Sequence, residues 1–154
     1  MGETDADFVT SELRTRDNTL SIWAIESRED MGPAILAIAL SSSRIETMDF
    51  IAFGPERLEA LGLDIRKSEP GVNPYTKAMD MHYDIYNLRL HSLAKLTELY
   101  KRTENRDFIR INKKDIDELV KKAKTCGYIN MDNVSPEMRR YLDDIGEGNH
   151  ALPI

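Results

Sequence analysis

The chain of 154 residues lacks most of the groups from which recognisable sites are built. Its single cysteine, Cys126, can form no disulfide within the chain, which is compatible with a reducing compartment. Its eight glycines never assemble as G-x-x-x-x-G-K or G-x-G-x-x-G, and no serine nucleophile elbow occurs. The sequence therefore contains no motif for phosphate binding or for an activated serine.

Long apolar runs and targeting features are also missing. No stretch of about 18 apolar residues occurs, which argues against a spanning helix. The first residues, MGETDADF, are acidic and lack the apolar segment of a signal peptide. We therefore expect a soluble, cytoplasmic protein without a membrane partner, with residues 1–8 and 147–154 as loose tails.

The charge that is present is unevenly distributed. The net charge is −6, and residues 1–73 carry 14 acidic against 7 basic side chains. Residues 101–125 reverse this balance, with 5 acidic and 9 basic side chains. An acidic surface can steer a basic partner during association, so the first half favours an interaction with a positively charged protein.

The hydrophobic pattern predicts one α+β domain over residues 9–146. Short alternating or apolar runs bounded by turn residues predict about four to five short strands in a small mixed sheet. The strands are mixed with helices in the first half and give way to helices afterwards, which is typical of the α+β class. We expect the sheet to pack against a long central helix, the C-terminal part to be helical, and residues 68–74 to form a candidate hinge.

Local signals place several elements along the chain. Residues 20–25, after a turn at residues 17–18, predict an inner strand with Trp23 in the core, and Asp30 is the expected cap of a buried helix that follows. Asn112 and Ser135 are the expected N-caps of two later helices, the second of which should end at Gly146.

Residues 79–93, MDMHYDIYNLRLHSL, form the densest group of polar and aromatic side chains. The apolar periodicity predicts that they belong to the central helix, over residues 75–102. On that helix one polar stripe would contain Asp80, Asp84, Asn87 and His91. The stripe is interpreted as a solvated face, with a metal site as the alternative. Since His91 would lie about 10 Å along the axis from Asp84, we expect no metal and no cofactor.

Two further residues, His82 and Arg89, are predicted on the side of the helix opposite the stripe. A buried guanidinium is costly without a partner, so Arg89 must find a carboxylate, reach a cleft or face another subunit. The alternatives are structural pairing and contact with a ligand or partner. His82, Arg89 and Tyr86 are therefore candidate contact residues, and no residue is assigned a catalytic role.

Two classes of function follow from these observations. The first is a non-enzymatic binding or regulatory protein, in its most specific form an acidic inhibitor of a basic partner such as a nucleic-acid enzyme. The alternative is a small enzyme with a cleft beside the central helix, using His82 or His91 as acid or base and Arg89 to hold an anionic substrate. A nucleic-acid-binding module is less favoured because the chain is acidic overall. Homo-oligomerisation stays open.

Overall fold

The computed structural model describes residues 18–69, 71–102 and 107–147. Within these residues the chain is mixed α+β, with five short strands in two small antiparallel sheets, which confirms the predicted class and number of strands. The strands lie in one sheet of three strands and one of two, rather than in a single mixed sheet. The loose tail predicted over residues 1–8 lies outside the described residues, as does residue 148 onward.

The secondary-structure elements follow one another in a mixed order. The strands are β1 (Leu20–Trp23), β2 (Met48–Ile51), β3 (Asp64–Lys67), β4 (His82–Tyr86) and β5 (Phe108–Ile111). The α-helices are α1 (Gly32–Ser41), α2 (Pro55–Glu59), α3 (Leu90–Lys101), α4 (Lys113–Thr125) and α5 (Pro136–Glu147). Short 3-10 helices occupy Arg28–Met31, Thr76–Met81 and Met131–Asn133.

The chain divides into two compact units. The described part of unit 1 comprises residues 18–23, 50–68, 82–102 and 107–109, and that of unit 2 comprises residues 24–49, 69, 71–81 and 110–147. The chain passes from unit 1 to unit 2 after Ser68, within the predicted hinge 68–74. The hinge and the single domain over residues 9–146 stay predictions.

Unit 1 is built on the three-stranded sheet, in which β4 lies between β1 and β3 and is antiparallel to both. Ile85 of β4 is 1% exposed and lies opposite Leu20 on one side and Ile65 on the other. With Leu88 and Leu96 it forms a buried cluster, against which half-buried leucines and isoleucines of β1, β3 and α2 pack. One face of the sheet therefore carries the core of unit 1.

Unit 2 is mainly helical. Helix α1 buries six residues around its circumference (Ala34, Ile35, Leu36, Ala37, Ala39 and Leu40), as its continuous apolar sequence predicts. Helices α4 and α5 are amphipathic and bury Ile116, Val120, Met138 and Leu142. The predicted caps are confirmed, because Asn112 accepts a hydrogen bond from the backbone N–H of Asp115 and the hydroxyl of Ser135 accepts one from that of Met138.

The predicted central helix over residues 75–102 is wrong. A 3-10 helix, strand β4 and a bend occupy its first half, and only Leu90–Lys101 is α-helical. Tyr83, Ile85 and Tyr86 are residues that favour strands, and Asn87 leaves the strand with a φ of 53°. Pairing of β4 with two neighbouring strands supplies its backbone hydrogen bonds, which the helical periodicity could not anticipate.

Three smaller expectations, two near the start of the described chain and one near its end, also fail. Strand β1 lies at the end of the strand order, and half-buried Trp23 lies on the face opposite the core residues Leu20 and Ile22. Asp30 does not cap α1, because the residue that precedes the helix is Met31 and no side chain accepts a capping hydrogen bond there. The Asp30 carboxylate instead accepts a hydrogen bond from Ser27, the N-cap residue of the preceding 3-10 helix. Helix α5 also continues through Gly146 to Glu147.

No helix among the described residues combines the length and the apolar character needed to cross a membrane.

Candidate functional site

The second face of the three-stranded sheet gathers the polar and aromatic residues of unit 1. Because side chains alternate along a strand, His82, Asp84 and Tyr86 of β4 share this face, whereas Tyr83 and Ile85 point to the other. The pairing register adds Ser21 and Trp23 from β1, Asp64 and Arg66 from β3, and Ser68 directly after β3. We call this surface the polar sheet face.

Asp84 lies at the centre of the polar sheet face, and its side chain is 16% exposed. One carboxylate oxygen accepts a hydrogen bond from the hydroxyl of Ser21 at 2.9 Å, and the other accepts one from Ser68 at 2.6 Å. The Nε2 atom of His82 lies 3.8 Å from the first oxygen. The two hydroxyl groups hold the carboxylate in a defined orientation on the central strand.

At one end of the polar sheet face, the rings of Trp23 and His82 are stacked. Their centroids are 4.6 Å apart and their planes differ by 24°. The two residues are directly opposite each other in the β1–β4 register, so the stack is a cross-strand pair of the kind that stabilises sheets. The stack limits the rotation of the imidazole and places the single tryptophan of the chain at the site.

At the other end of the polar sheet face, Arg66 and Asp64 form a bidentate pair. The Nε and Nη2 atoms of Arg66 donate to the two oxygens of Asp64 at 2.8 and 2.6 Å, and Asn87 donates to the same carboxylate at 3.3 Å. The hydrogen bond from Arg66 lowers the pKa of Asp64. The guanidinium carbon also lies 5.2 Å from the centroid of the Tyr86 ring, within the range of a cation–π contact.

The residues of the predicted polar stripe are not brought together. Asp84 and Asn87 lie on or beside the polar sheet face, while Asp80 belongs to the 3-10 helix of unit 2 and exposed His91 to the first turn of α3. The stripe was derived from a continuous helix, whereas the chain between these positions contains strand β4 and a bend. Within the described residues, no three histidine, cysteine, aspartate or glutamate side chains are grouped closely enough to hold a metal ion.

The predicted placement of His82 and Arg89 on one side of a helix is also wrong. His82 begins β4, whereas Arg89 lies beyond the far end of that strand as the exposed N-cap residue of α3. Four residue steps of strand span about 13 Å, which separates the two positions further than one helical face would. Tyr86, in contrast, shares the polar sheet face with His82.

The sequence interpretation missed the contributions of β1 and β3. Ser21, Trp23, Asp64, Arg66 and Ser68 were not assigned to a site, although Ser21 and Trp23 alternate with apolar Leu20 and Ile22. The same alternation with a period of two over residues 64–68 would have placed Asp64, Arg66 and Ser68 on one face of a strand. What no local pattern supplies is the register that aligns them with β4.

The hydrogen bonds of the polar sheet face limit the chemistry it can perform. In a catalytic triad the serine hydroxyl bonds to the imidazole, and the imidazole is in turn oriented by the carboxylate. Here the hydroxyl groups of Ser21 and Ser68 both donate to Asp84. Neither serine is therefore arranged for activation by His82, and the arrangement favours holding a fixed surface over nucleophilic attack.

Among the described residues of unit 2, two open depressions have volumes of about 490 and 410 Å³, and neither is lined by a residue that the sequence predicts as a site. The first includes Arg44 and Lys113, but Arg44 is paired with Glu46 at 2.8 Å. This pairing reduces the positive charge available for an anion.

No family model matches the chain, and comparisons with curated proteins and with solved structures found no match either.

Proposed function

We propose that this chain is a non-enzymatic binding protein whose partner, another protein, docks on the polar sheet face. The observation that carries the proposal is the presence of Trp23, Arg66 and Tyr86 on one face of one small sheet. Tryptophan, tyrosine and arginine are the residue types most enriched among the side chains that dominate binding energy at protein interfaces. Trp23 and Tyr86 are half-buried and Arg66 is exposed, so each retains surface for a partner.

The contacts among these residues support the same proposal. Trp23 is held by its stack with His82, and Arg66 is held by Asp64 and lies over Tyr86. Side chains that are fixed before association lose less conformational entropy when a partner binds. The polar sheet face is therefore organised for binding without requiring a rearrangement of its central residues.

The enzymatic alternative receives less support from the geometry. It needs a cleft beside a helix running from His82 past Arg89, and these two residues lie on different elements. It also needs an acid or base aimed at a reacting atom, whereas the nearest hydroxyl groups are already directed at Asp84. A binding role uses the same residues without these requirements.

The inhibitor form of the proposal rests on charge. The net charge of −6 favours a basic partner, and a nucleic-acid enzyme is one class of protein with a basic surface. Five of the 14 acidic residues in the first 73 lie before residue 18, outside the described part. The charge argument therefore rests on the composition of the chain and not on the geometry of the polar sheet face alone. A cytoplasmic location is a separate expectation, drawn from the single cysteine.

The test is capture of a partner from native lysate by the wild-type protein and by two matched variants. Tyr86→Ala removes the ring that makes a cation–π contact with Arg66 on the polar sheet face. Tyr128→Ala removes the same type of contact in unit 2, where the Nζ atom of Lys77 lies 3.4 Å from the centroid of the Tyr128 ring. We expect Tyr86→Ala to weaken capture by about tenfold or more, as loss of a central interface tyrosine does, and Tyr128→Ala to retain it.

Two outcomes would contradict the proposal. A partner that is captured equally by both variants would bind elsewhere, and the polar sheet face would have no role in binding it. If no partner is captured and the protein turns over a small anionic substrate, with turnover abolished in Arg89→Ala, the protein would be an enzyme. Both variants should first be compared with the wild type in urea unfolding so that loss of folding is not mistaken for loss of binding.

A further inference from the structure

The carboxylate at the centre of the polar sheet face lacks a strong cationic partner within the described residues. Arg66 lies directly opposite Asp84 in the β3–β4 register, yet its guanidinium pairs with Asp64 on its own strand. Asp84 instead accepts hydrogen bonds from two neutral hydroxyl groups. The remaining neighbour, His82 at 3.8 Å, carries a positive charge only when it is protonated.

The charges of the polar sheet face leave room for one more cation. When His82 is neutral, the polar sheet face has two negative charges, on Asp64 and Asp84, and one positive charge, on Arg66. An ionised carboxylate offers about four acceptor positions, and the two hydroxyl groups occupy two of those on Asp84. Its 16% exposure leaves part of the group open to solvent, so a cation arriving from outside can reach it.

Aromatic rings flank this carboxylate on both sides. Trp23 is a diagonal cross-strand neighbour of Asp84, about 7–8 Å away between Cα atoms, and Tyr86 is two residues further along the same strand. Rings at this distance are within reach of the stem and charged end of a long basic side chain. Arg66 already occupies such a position over Tyr86, which shows that the surface accommodates a cation beside a ring.

We propose that Asp84 receives a lysine or arginine side chain of the partner, with the stem of that side chain lying along the ring of Trp23. This inference rests on the proposed binding function and adds the chemical class of the partner residue. Charge complementarity carries it, because the polar sheet face has two carboxylates, Asp64 and Asp84, and one guanidinium, that of Arg66, when His82 is neutral. An acidic or purely apolar partner surface would leave the Asp84 carboxylate uncompensated and less hydrated, which is costly.

The experiment uses peptides as probes, so it does not depend on finding the partner. Because the chain contains one tryptophan, the indole N–H resonance of Trp23 reports directly on the site. The full-length protein is titrated with acetyl-Gly-Gly-Lys-Gly-Gly-amide, its arginine equivalent, and the norleucine equivalent, which matches the stem of lysine without its charge. We expect a saturable shift with the lysine and arginine peptides and a weaker one with norleucine.

Two variants identify the carboxylate responsible. Asp84→Asn keeps the size of the side chain and one acceptor oxygen, enough for one of the two serine hydroxyl groups, and removes the charge. It should weaken binding of the lysine peptide by about three- to fivefold. Glu59→Gln removes one exposed negative charge from α2, also in unit 1, and should change the affinity less than twofold. A third test needs no variant: in the wild-type protein, raising the ionic strength should weaken binding of the lysine peptide and leave binding of the norleucine peptide unchanged.

The outcomes separate this inference from the function on which it rests. Equal binding of norleucine and lysine, or unchanged binding of lysine by Asp84→Asn, would overturn the role of Asp84. A partner whose capture depends on Tyr86 and not on Asp84 would leave the binding function standing and overturn this inference. If no partner is captured at all, the peptide titration still decides whether Asp84 accepts a cation.

Discussion

Two leucines on the same helix provide a sharp test of the packing in unit 1. Leu96 of α3 is 2% exposed and belongs to the buried cluster with Ile85, whereas Leu90, in the first turn of α3, is 85% exposed. We expect Leu96→Ala to lower the free energy of unfolding by about 2–5 kcal/mol, because it removes buried carbon atoms and leaves a cavity. The same substitution at position 90 serves as the control.

The expected effect at Leu90 follows from its exposure. Complete burial of a leucine side chain contributes about 1.5–3 kcal/mol, and the buried fraction here is small, so truncation should cost only about 0.3 kcal/mol. The higher helix propensity of alanine offsets part of this cost. The two variants are therefore expected to differ by at least about 2 kcal/mol.

The assay is urea unfolding followed by the fluorescence of Trp23, which lies in the same unit as both leucines. The midpoint of the transition should fall strongly for Leu96→Ala and stay close to the wild type for Leu90→Ala, with similar slopes. Equal losses in the two variants would refute the orientation of α3. A loss below about 1 kcal/mol for Leu96→Ala would refute the central place of Leu96 in the core.

Three further predictions concern other parts of the chain. Gly62→Ala should cost about 1–2 kcal/mol because Gly62 has a φ of 64°, while Gly32→Ala at the start of α1, where a Cβ atom meets nothing within 4 Å, should be neutral or stabilising in the same urea assay. Asn112→Ala should lower the free energy of unfolding by about 1 kcal/mol through loss of the cap of α4, and an effect near zero would contradict that cap. Burial and the hydrogen bond to Asp117 raise the pKa of Tyr141, so one tyrosine should ionise above the usual range in an alkaline absorbance titration, and Tyr141→Phe should remove that step. Because the folded state keeps this proton more tightly, the associated stability is present below the ordinary tyrosine pKa and is lost as the pH rises through the raised one.

The elements that the sequence predicts well carry their own boundary signals. Helix α4 has an N-cap at Asn112 and α5 has one at Ser135, and both are amphipathic with a clear helical period. Helix α1 is apolar on all sides, and it is buried accordingly. In these segments local propensity and tertiary environment agree, so local reasoning is sufficient.

The segment from residue 75 to residue 102 is where local reasoning fails. Ile85, Leu88 and Leu96 are all buried, and their spacing fits an apolar helical arc as well as it fits a strand followed by a helix. The choice depends on pairing with β1 and β3, which are about 60 and 20 residues away in the chain. The sequence of a short apolar segment does not show whether strands are available to pair with it, so the segment is compatible with either a helix or a strand.

The error in the period explains why the site was divided into two groups. On a helix, residues two apart lie about 200° apart around the axis, so His82 and Asp84 were assigned to opposite sides. On a strand the same spacing places both on one face, where Asp84 lies 3.8 Å from His82 and shares that face with Tyr86. The polar residues of this segment that lie on β4 therefore share one surface. His82, Asp84 and Tyr86 share one face only if the segment is a strand and not a helix. Trp23 and Arg66, on the two neighbouring strands, then complete the surface that we propose as the binding site.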